Sequence, residues 1–230
     1  MMRTTTFLDY LGVSQDHASH AEKLISAVGG FLGILVSILV TSWFTGADSL
    51  VYIIPSMGAT AVLLFAVPHG ALAQPWNVFG GHLVSALIGV ACAQWIPQIS
   101  IAAAAAVGVS IMVMYYLRCI HPPGGATALA AVIGGESIQQ LGYHYLLTPV
   151  LVNVIAILMV AVLFNALFQW RRYPAALMKG AREAAQPLDY APIDHSDLVY
   201  ALSEIDSFVD VTEDDLLKIY QLATGRDVSS

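Results

Sequence analysis

The chain is short of charge and of cysteine, and it lacks a broad basic surface. Each shortage removes a class of protein. Only 11% of the 230 residues are charged, against 57% hydrophobic. A soluble domain carries roughly 25% charged residues, so this chain has too little polar surface to stay in water. The shortage is also uneven. Between positions 24 and 169 the charged side chains are Asp48, Arg118 and Glu136, and from Arg171 onward charge is dense. That pattern describes a membrane domain followed by a polar tail. The net charge of −7 comes mostly from the tail. Basic residues do not gather outside positions 171–182, which argues against a nucleic-acid partner. Two cysteines, Cys92 and Cys119, lie in or beside apolar runs. They make no disulfide framework and are expected to be reduced core thiols. The first twenty residues are polar, so no secretory leader is expected there. His17 and His20 have no metal-ligating partners near them, and "GGAT" lacks the lysine of a phosphate loop. No enzyme activity, cofactor or metal site is expected.

What the chain does have is apolar length. Four runs, 24–44, 78–96, 99–117 and 145–168, can cross a hydrocarbon core that needs about 20 apolar residues. The third contains "IAAAAAVGV", a small-residue face suited to close helix contact. Two shorter apolar segments, 53–67 and 121–135, lie between the long ones. Pro55, Gly58, Ala59, Thr60 and Ala61 match Pro122, Gly125, Ala126, Thr127 and Ala128 at a constant offset, 122 − 55 = 67. Each short segment has a long run before it and another after it. The fold class is therefore an all-α membrane protein made of two repeats of span, broken short helix, span. Boundaries are set at 1–23 for an N-terminal cytoplasmic segment, 24–170 for the membrane domain, 171–192 for a linker and 193–230 for an acidic helical tail.

Two layouts remain open. If the short segments cross, there are six crossings, the two repeats are inverted, and both termini are cytoplasmic. If they are re-entrant, there are four spans plus two re-entrant helices. Positive charge favours the cytoplasmic side, and "QWRRYPAALMKGAR" puts the end of the last span there. Six crossings also leave Arg118 on that side, whereas re-entrant segments turn it outward. A helix of about 12 residues covers only about 18 Å, so extended chain must complete each crossing.

A broken helix in lipid needs a reason, because irregular backbone is tolerated there only inside protein or against a watery cavity. Pro122 and Pro123 favour a helix start. Gly124 and Gly125 leave the backbone open to a ligand. Amides of Gly124, Gly125 and Ala126 at one start, and of Ser56, Met57 and Gly58 at the other, suit an anion at the positive end of a helix dipole. Transporters place anionic groups at such discontinuous helix starts. His121 opens the second short helix and is a candidate donor to the anion or carrier of a proton. Thr60 and Thr127 hold matching positions one turn in, where their hydroxyls face either the site or the preceding turn. Arg118, His82 and Asn153 are pathway candidates, each with a structural alternative: topology anchor, packing, or helix bridge. Trp43, Trp76, Trp95 and Trp170 fall near span ends, as interfacial anchors do. In the tail, Leu198, Leu202, Ile205, Val209, Leu216, Leu217, Ile219 and Tyr220 recur at helical spacing, with Asp197 and Thr212 as N-caps.

"HPPGGATAL", "PSMGATAVLLF" and "QPWNVFGGHLVSALIGV", in this chain the stretches from His121, Pro55 and Gln74, together resemble the HPP family of integral membrane proteins. The likeness covers about 24–170, and the family's motif residues fall on His121, Pro122, Pro123, Gly124 and Gly125. That family has often been described with four spans, and plant chloroplast and cyanobacterial members are associated with nitrite transport. The resemblance implies transport, and nitrite as its substrate. The expected protein is a multi-pass transporter or channel for a small anion in a bacterial inner membrane, with the bilayer around it and a homo-oligomer allowed. The rival is a membrane sensor or scaffold that binds an anion or partner without net transport.

Overall fold

The computed structural model describes residues 18–46 and 55–179. Contacts divide the chain into a unit of residues 24–186 and a second of 1–23 with 187–230; the architecture below is that of the first. The amphipathic tail and most of the linker lie outside the described residues. Every regular element described is helical. The order is α1 (His20–Thr45), α2 (Ser56–Ala66), a 3-10 turn (Ala71–Ala73), α3 (Pro75–Trp95), α4 (Ile99–Tyr116), α5 (Pro122–Ile133) and the short α6 (Glu136–Gln139). A wide π turn (Leu146–Leu151) then leads into α7 (Val152–Ala166), followed by a 3-10 turn (Gln169–Arg171) and α8 (Ala176–Lys179).

Among the described residues four helices are long and apolar enough to cross a membrane: His20–Thr45, Pro75–Trp95, Ile99–Tyr116 and Leu146–Ala166. These are the four runs expected from the sequence. Their outer faces are apolar. On α1, Leu24, Val28, Phe31, Leu35 and Leu39 recur every three or four residues and are exposed. Ile155, Met159, Val162 and Leu163 do the same on α7. Such continuous apolar surface suits lipid rather than water. Hydroxyls within α1 bond back along the helix, Ser37 to the Gly33 carbonyl and Ser42 to that of Ile38, so they expose no unmet polar group.

Small residues let the helices close up. A Cβ on Gly29 or Gly33 of α1 would stand 2.5 and 2.6 Å from the Phe65 ring of α2. Phe65 in turn meets Phe164 of α7 edge-on, with centroids 5.9 Å apart. Ala102 and Ala106 of α4 are buried against Ala128 and Val132 of α5, so the polyalanine face is used inside the chain. The tightest seam joins α3 and α5. A Cβ on Gly89 would lie 2.6 Å from the Ala128 carbonyl, and one on Gly124 would lie 2.8 Å from that of Gly81.

The α3–α5 contacts advance together along both helices, Gly81 with His121 and Gly89 with Ala128, so α5 runs parallel to α3. The Trp76 indole donates to the Leu117 carbonyl, joining the start of α3 to the end of α4. Arg171, beyond α7, donates to Ser26 near the start of α1 and to the Phe65 carbonyl at the end of α2. One end of the bundle therefore gathers the first turns of α1 and α3 with the last turns of α2, α4 and α7. Thr41, near the end of α1, bonds Asn153, near the start of α7, at the opposite end.

Candidate functional site

Pro122 and Pro123 open α5, and His121 is its N-cap in an extended conformation. Pro55 plays the same part for α2, with Ser56 as the first helical residue. The two first turns lie side by side in opposite senses. Ser56 Oγ is 2.7 Å from Thr127 Oγ1, while Thr60 Oγ1 is 3.0 Å from His121 Nε2. His82, seven residues into α3 and so about 10 Å from its start, inserts between them. Its Nε2 is 2.9 Å from Thr60 Oγ1 and its Nδ1 is 2.7 Å from Thr127 Oγ1. The two imidazoles meet edge-on with centroids 4.9 Å apart. His121 Nδ1 donates to the Leu72 carbonyl at 2.8 Å. All five side chains, Ser56, Thr60, His82, His121 and Thr127, are fully buried.

Neighbours hold this cluster in shape. Gly81 makes room for His121, since a Cβ there would sit 2.5 Å from the His121 Cβ. The Tyr145 hydroxyl donates to the Thr127 carbonyl at 3.1 Å. Asn77 Nδ2 donates to the Ile120 carbonyl at 2.8 Å and fixes the chain entering α5. Sequence reasoning had no means of selecting Leu72 or Tyr145. Every residue offers a carbonyl, and Tyr145 marked only the edge of a span.

The other candidates are distributed as follows. Met57 is buried in the core beside Ala61 and Leu64. Gly58 and Ala126 are exposed and Gly125 half-buried. Gly124 faces α3, with the Gly81 carbonyl and Ser85 Oγ in the space a side chain would take. The Gly58 amide donates to the Pro55 carbonyl and the Gly124 amide to that of His121. Asn153 joins α1 to α7, accepting from Thr41 and donating to the Pro149 carbonyl. Arg118 is exposed and ends α4. Its φ of 54° is left-handed, the Cys119 amide reaches back to the Met114 carbonyl, and its own amide reaches that of Tyr115. That is a Schellman turn with arginine where glycine is usual. These bonds of Asn153 and of the Arg118 turn lead away from the five-residue cluster.

Arg171 is another buried polar centre. It donates to the Phe65 carbonyl, to Asn165 Oδ1 and to Ser26 Oγ, while Asn165 donates to the Leu64 carbonyl. A cation and an amide thus cap the last carbonyls of α2, at the negative end of its dipole. Among the described residues, one surface groove is bordered by Ser26, Gly30 and Phe65 and another by Thr45, His144 and Thr148. None of the five cluster residues lines either. Among the described residues no three His, Cys, Asp or Glu side chains gather as a metal site.

An all-helical bundle with lipid-suited faces, and with its polar side chains collected inside at the starts of two short helices, is a multi-pass membrane protein. The chain belongs to the HPP family: the family described as HPP, transmembrane region, matches residues 15–174. A transmembrane protein of Dictyostelium discoideum is 37% identical over 153 residues, 65% of this chain and 49% of that protein. A second from the same organism is 36% identical over 151 residues, 64% of this chain and 53% of its own length. The chain thus spans about half the length of the curated relatives it matches. No solved structure matches.

Proposed function

We propose that this HPP protein moves a small monovalent anion across the membrane, nitrite first among candidates, through a site between the starts of α2 and α5. One observation carries the reading. Five hydroxyl and imidazole side chains, all fully buried, meet at the first turns of two broken helices inside an apolar bundle. Those groups donate hydrogen bonds, two helix dipoles point positive ends at them, and no carboxylate bonds to them. An anion is the ligand such surroundings favour.

The proposed layout is six crossings in two inverted repeats, α1–α2–α3 and α4–α5–α7. The shared helix ends support it. Each segment runs opposite to its predecessor, and each runs opposite to its counterpart in the other repeat. Arg118, Arg171 and Arg172 then fall at one end, which the positive-inside rule makes cytoplasmic. Both ends of the membrane domain lie on that side, and in a bacterial host the membrane is the inner one.

The test is nitrite uptake into proteoliposomes, beside empty liposomes and the His121→Ala variant. Protein-dependent uptake that the variant loses, with its helical content intact, supports the site. Uptake that the variant keeps moves the site elsewhere. No uptake above empty liposomes removes nitrite. A sensor or scaffold is the second reading, favoured by one feature: the cluster's polar groups satisfy one another, leaving a closed polar latch. A latch without transport predicts anion-dependent stability and no flux of any small anion.

A further inference from the structure

The cluster is a hydrogen-bonded chain with a direction. With both imidazoles neutral, one proton assignment satisfies every link. The Leu72 carbonyl only accepts, so His121 carries its hydrogen on Nδ1 and its Nε2 is bare. That nitrogen has Thr60 Oγ1 as its partner, so Thr60 donates to it. Thr60 has one hydrogen; toward His82 Nε2 it accepts, and His82 is therefore the Nε2–H tautomer. His82 Nδ1 is then bare and takes the Thr127 hydrogen. Thr127 in turn accepts from Ser56. The competing bonds, from Thr60 to the Ser56 carbonyl at 3.0 Å and from Thr127 to the Pro123 carbonyl at 3.4 Å, would leave lone pairs facing each other at His121 and at His82.

One added proton reverses the four links between Ser56 and His121. A proton arriving at Ser56 Oγ becomes the serine hydrogen, and the former serine hydrogen passes to Thr127. The Thr127 hydrogen passes to His82 Nδ1, the His82 Nε2 hydrogen to Thr60, and the Thr60 hydrogen to His121 Nε2. One proton enters, four hydrogens shift by one link, and no bond to carbon changes. His121 is then an imidazolium, His82 is the Nδ1–H tautomer, and the new Ser56 hydrogen points away from the chain at the start of α2.

We propose that protonation of His121 reverses this chain and turns the Ser56 hydroxyl outward as a donor, so that a proton and the transported anion are taken up together. The proposal rests on the anion-transport reading and names its co-substrate. The groups packed around His121 suit the role. His82 comes from α3, α2 contributes Thr60 and Ser56, Leu72 a carbonyl, and Cys119 precedes it with its side chain toward Gly80. The carboxylates among the described residues are Glu22, buried in the first turn of α1, and Glu136, exposed at the start of α6. His121 bonds to Thr60 and to the Leu72 carbonyl, not to an acid that would hold the charge in place of an anion.

The test is solid-state nitrogen NMR of the full chain in bilayers with histidine labelled at both ring nitrogens. His82→Gln and His121→Gln spectra assign the two rings. At high pH the expected forms are Nδ1–H for His121 and Nε2–H for His82. On acidification His121 becomes doubly protonated, and His82 changes to Nδ1–H at the same midpoint. Thr60→Ser keeps that coupling; in Thr60→Val, His121 titrates while His82 does not follow. An Nδ1–H form of His82 at high pH overturns the proposal. So does a His82 tautomer indifferent to His121, or a His121 that never titrates while the protein stays folded. Nitrite uptake by the same samples separates the two readings. Uptake without a tautomer switch removes the relay and leaves transport; a switch without uptake keeps the relay and removes nitrite.

Discussion

Gly81→Ala adds one carbon at the point where α3 touches the chain entering α5. That carbon would stand 2.5 Å from the His121 Cβ and 3.1 Å from the Cys119 carbonyl. Carbon atoms in good contact sit about 3.5–4.0 Å apart, so the deficit is about 1 Å. The His121 Cβ is attached directly to backbone and cannot swing aside, so the helices must part. Overpacking of this kind costs about 1–3 kcal/mol. A shift of about 1 Å also lengthens the 3.0 Å contact between Thr60 and His121 beyond hydrogen-bond range. Gly108→Ala is the control: a Cβ there meets nothing within 4 Å, and alanine in a helix interior is favoured over glycine by about 0.5–1 kcal/mol. Thermal unfolding in lipid nanodiscs, followed by tryptophan fluorescence, should lower the Gly81→Ala midpoint by several degrees and leave Gly108→Ala at or above the parent. A Gly81→Ala midpoint equal to that of Gly108→Ala would refute the close-contact account of this seam.

Arg171→Met removes the donors that cap α2 and should cost about 1.5–3 kcal/mol in the same unfolding assay. Arg171→Lys should fall between the two, because it keeps a charge but not the planar fork. Arg118→Gly should raise stability by about 1 kcal/mol, since glycine adopts the left-handed turn without the strain arginine meets there. The layout is tested by single cysteines at Arg118 and Glu136, in a background lacking Cys92 and Cys119, labelled with an impermeant thiol reagent. Six crossings place them on opposite sides; re-entrant short helices place them on the same side.

The long spans were legible because bilayer thickness sets their length, and a run of about 20 apolar residues has few other uses. The two short helices were legible from Pro55, Gly58, Pro122 and Gly125, which mark a helix start in apolar surroundings. The cluster was legible only as separate candidates. That Thr60 meets His82 and His121 together depends on how α2 is rotated against α3 and α5, and sequence spacing does not encode that rotation. The glycines show the same limit. At Gly124 the sequence allowed a ligand to approach the backbone; the space is occupied by the Gly81 carbonyl and Ser85. Arg171 looked like a surface topology charge and is 1% exposed. A basic residue after a span signals sidedness whether or not it then folds back to cap a neighbour.

A short helix inside a membrane leaves a backbone account to settle, and α3 settles much of it. α2 has 11 residues and α5 has 12, about 16 and 18 Å of helix against a hydrocarbon core of about 30 Å. The chain leading into α5, from Leu117 to His121, is irregular, and its carbonyls need partners outside a regular helix. Trp76 donates to the Leu117 carbonyl, Asn77 to that of Ile120, and Gly124 to that of His121. The first two donors lie on the opening turn of α3, beside the Pro75 that starts it. Gly80 and Gly81, one turn further on, bring α3 close enough for those side chains to reach. The same turn delivers His82 to Thr60 and Thr127. The residues that make a broken helix tolerable in an apolar interior are thus continuous, along the first turns of one helix, with the residue that joins the two broken starts. A change that loosens the seam should disturb stability and the polar cluster together.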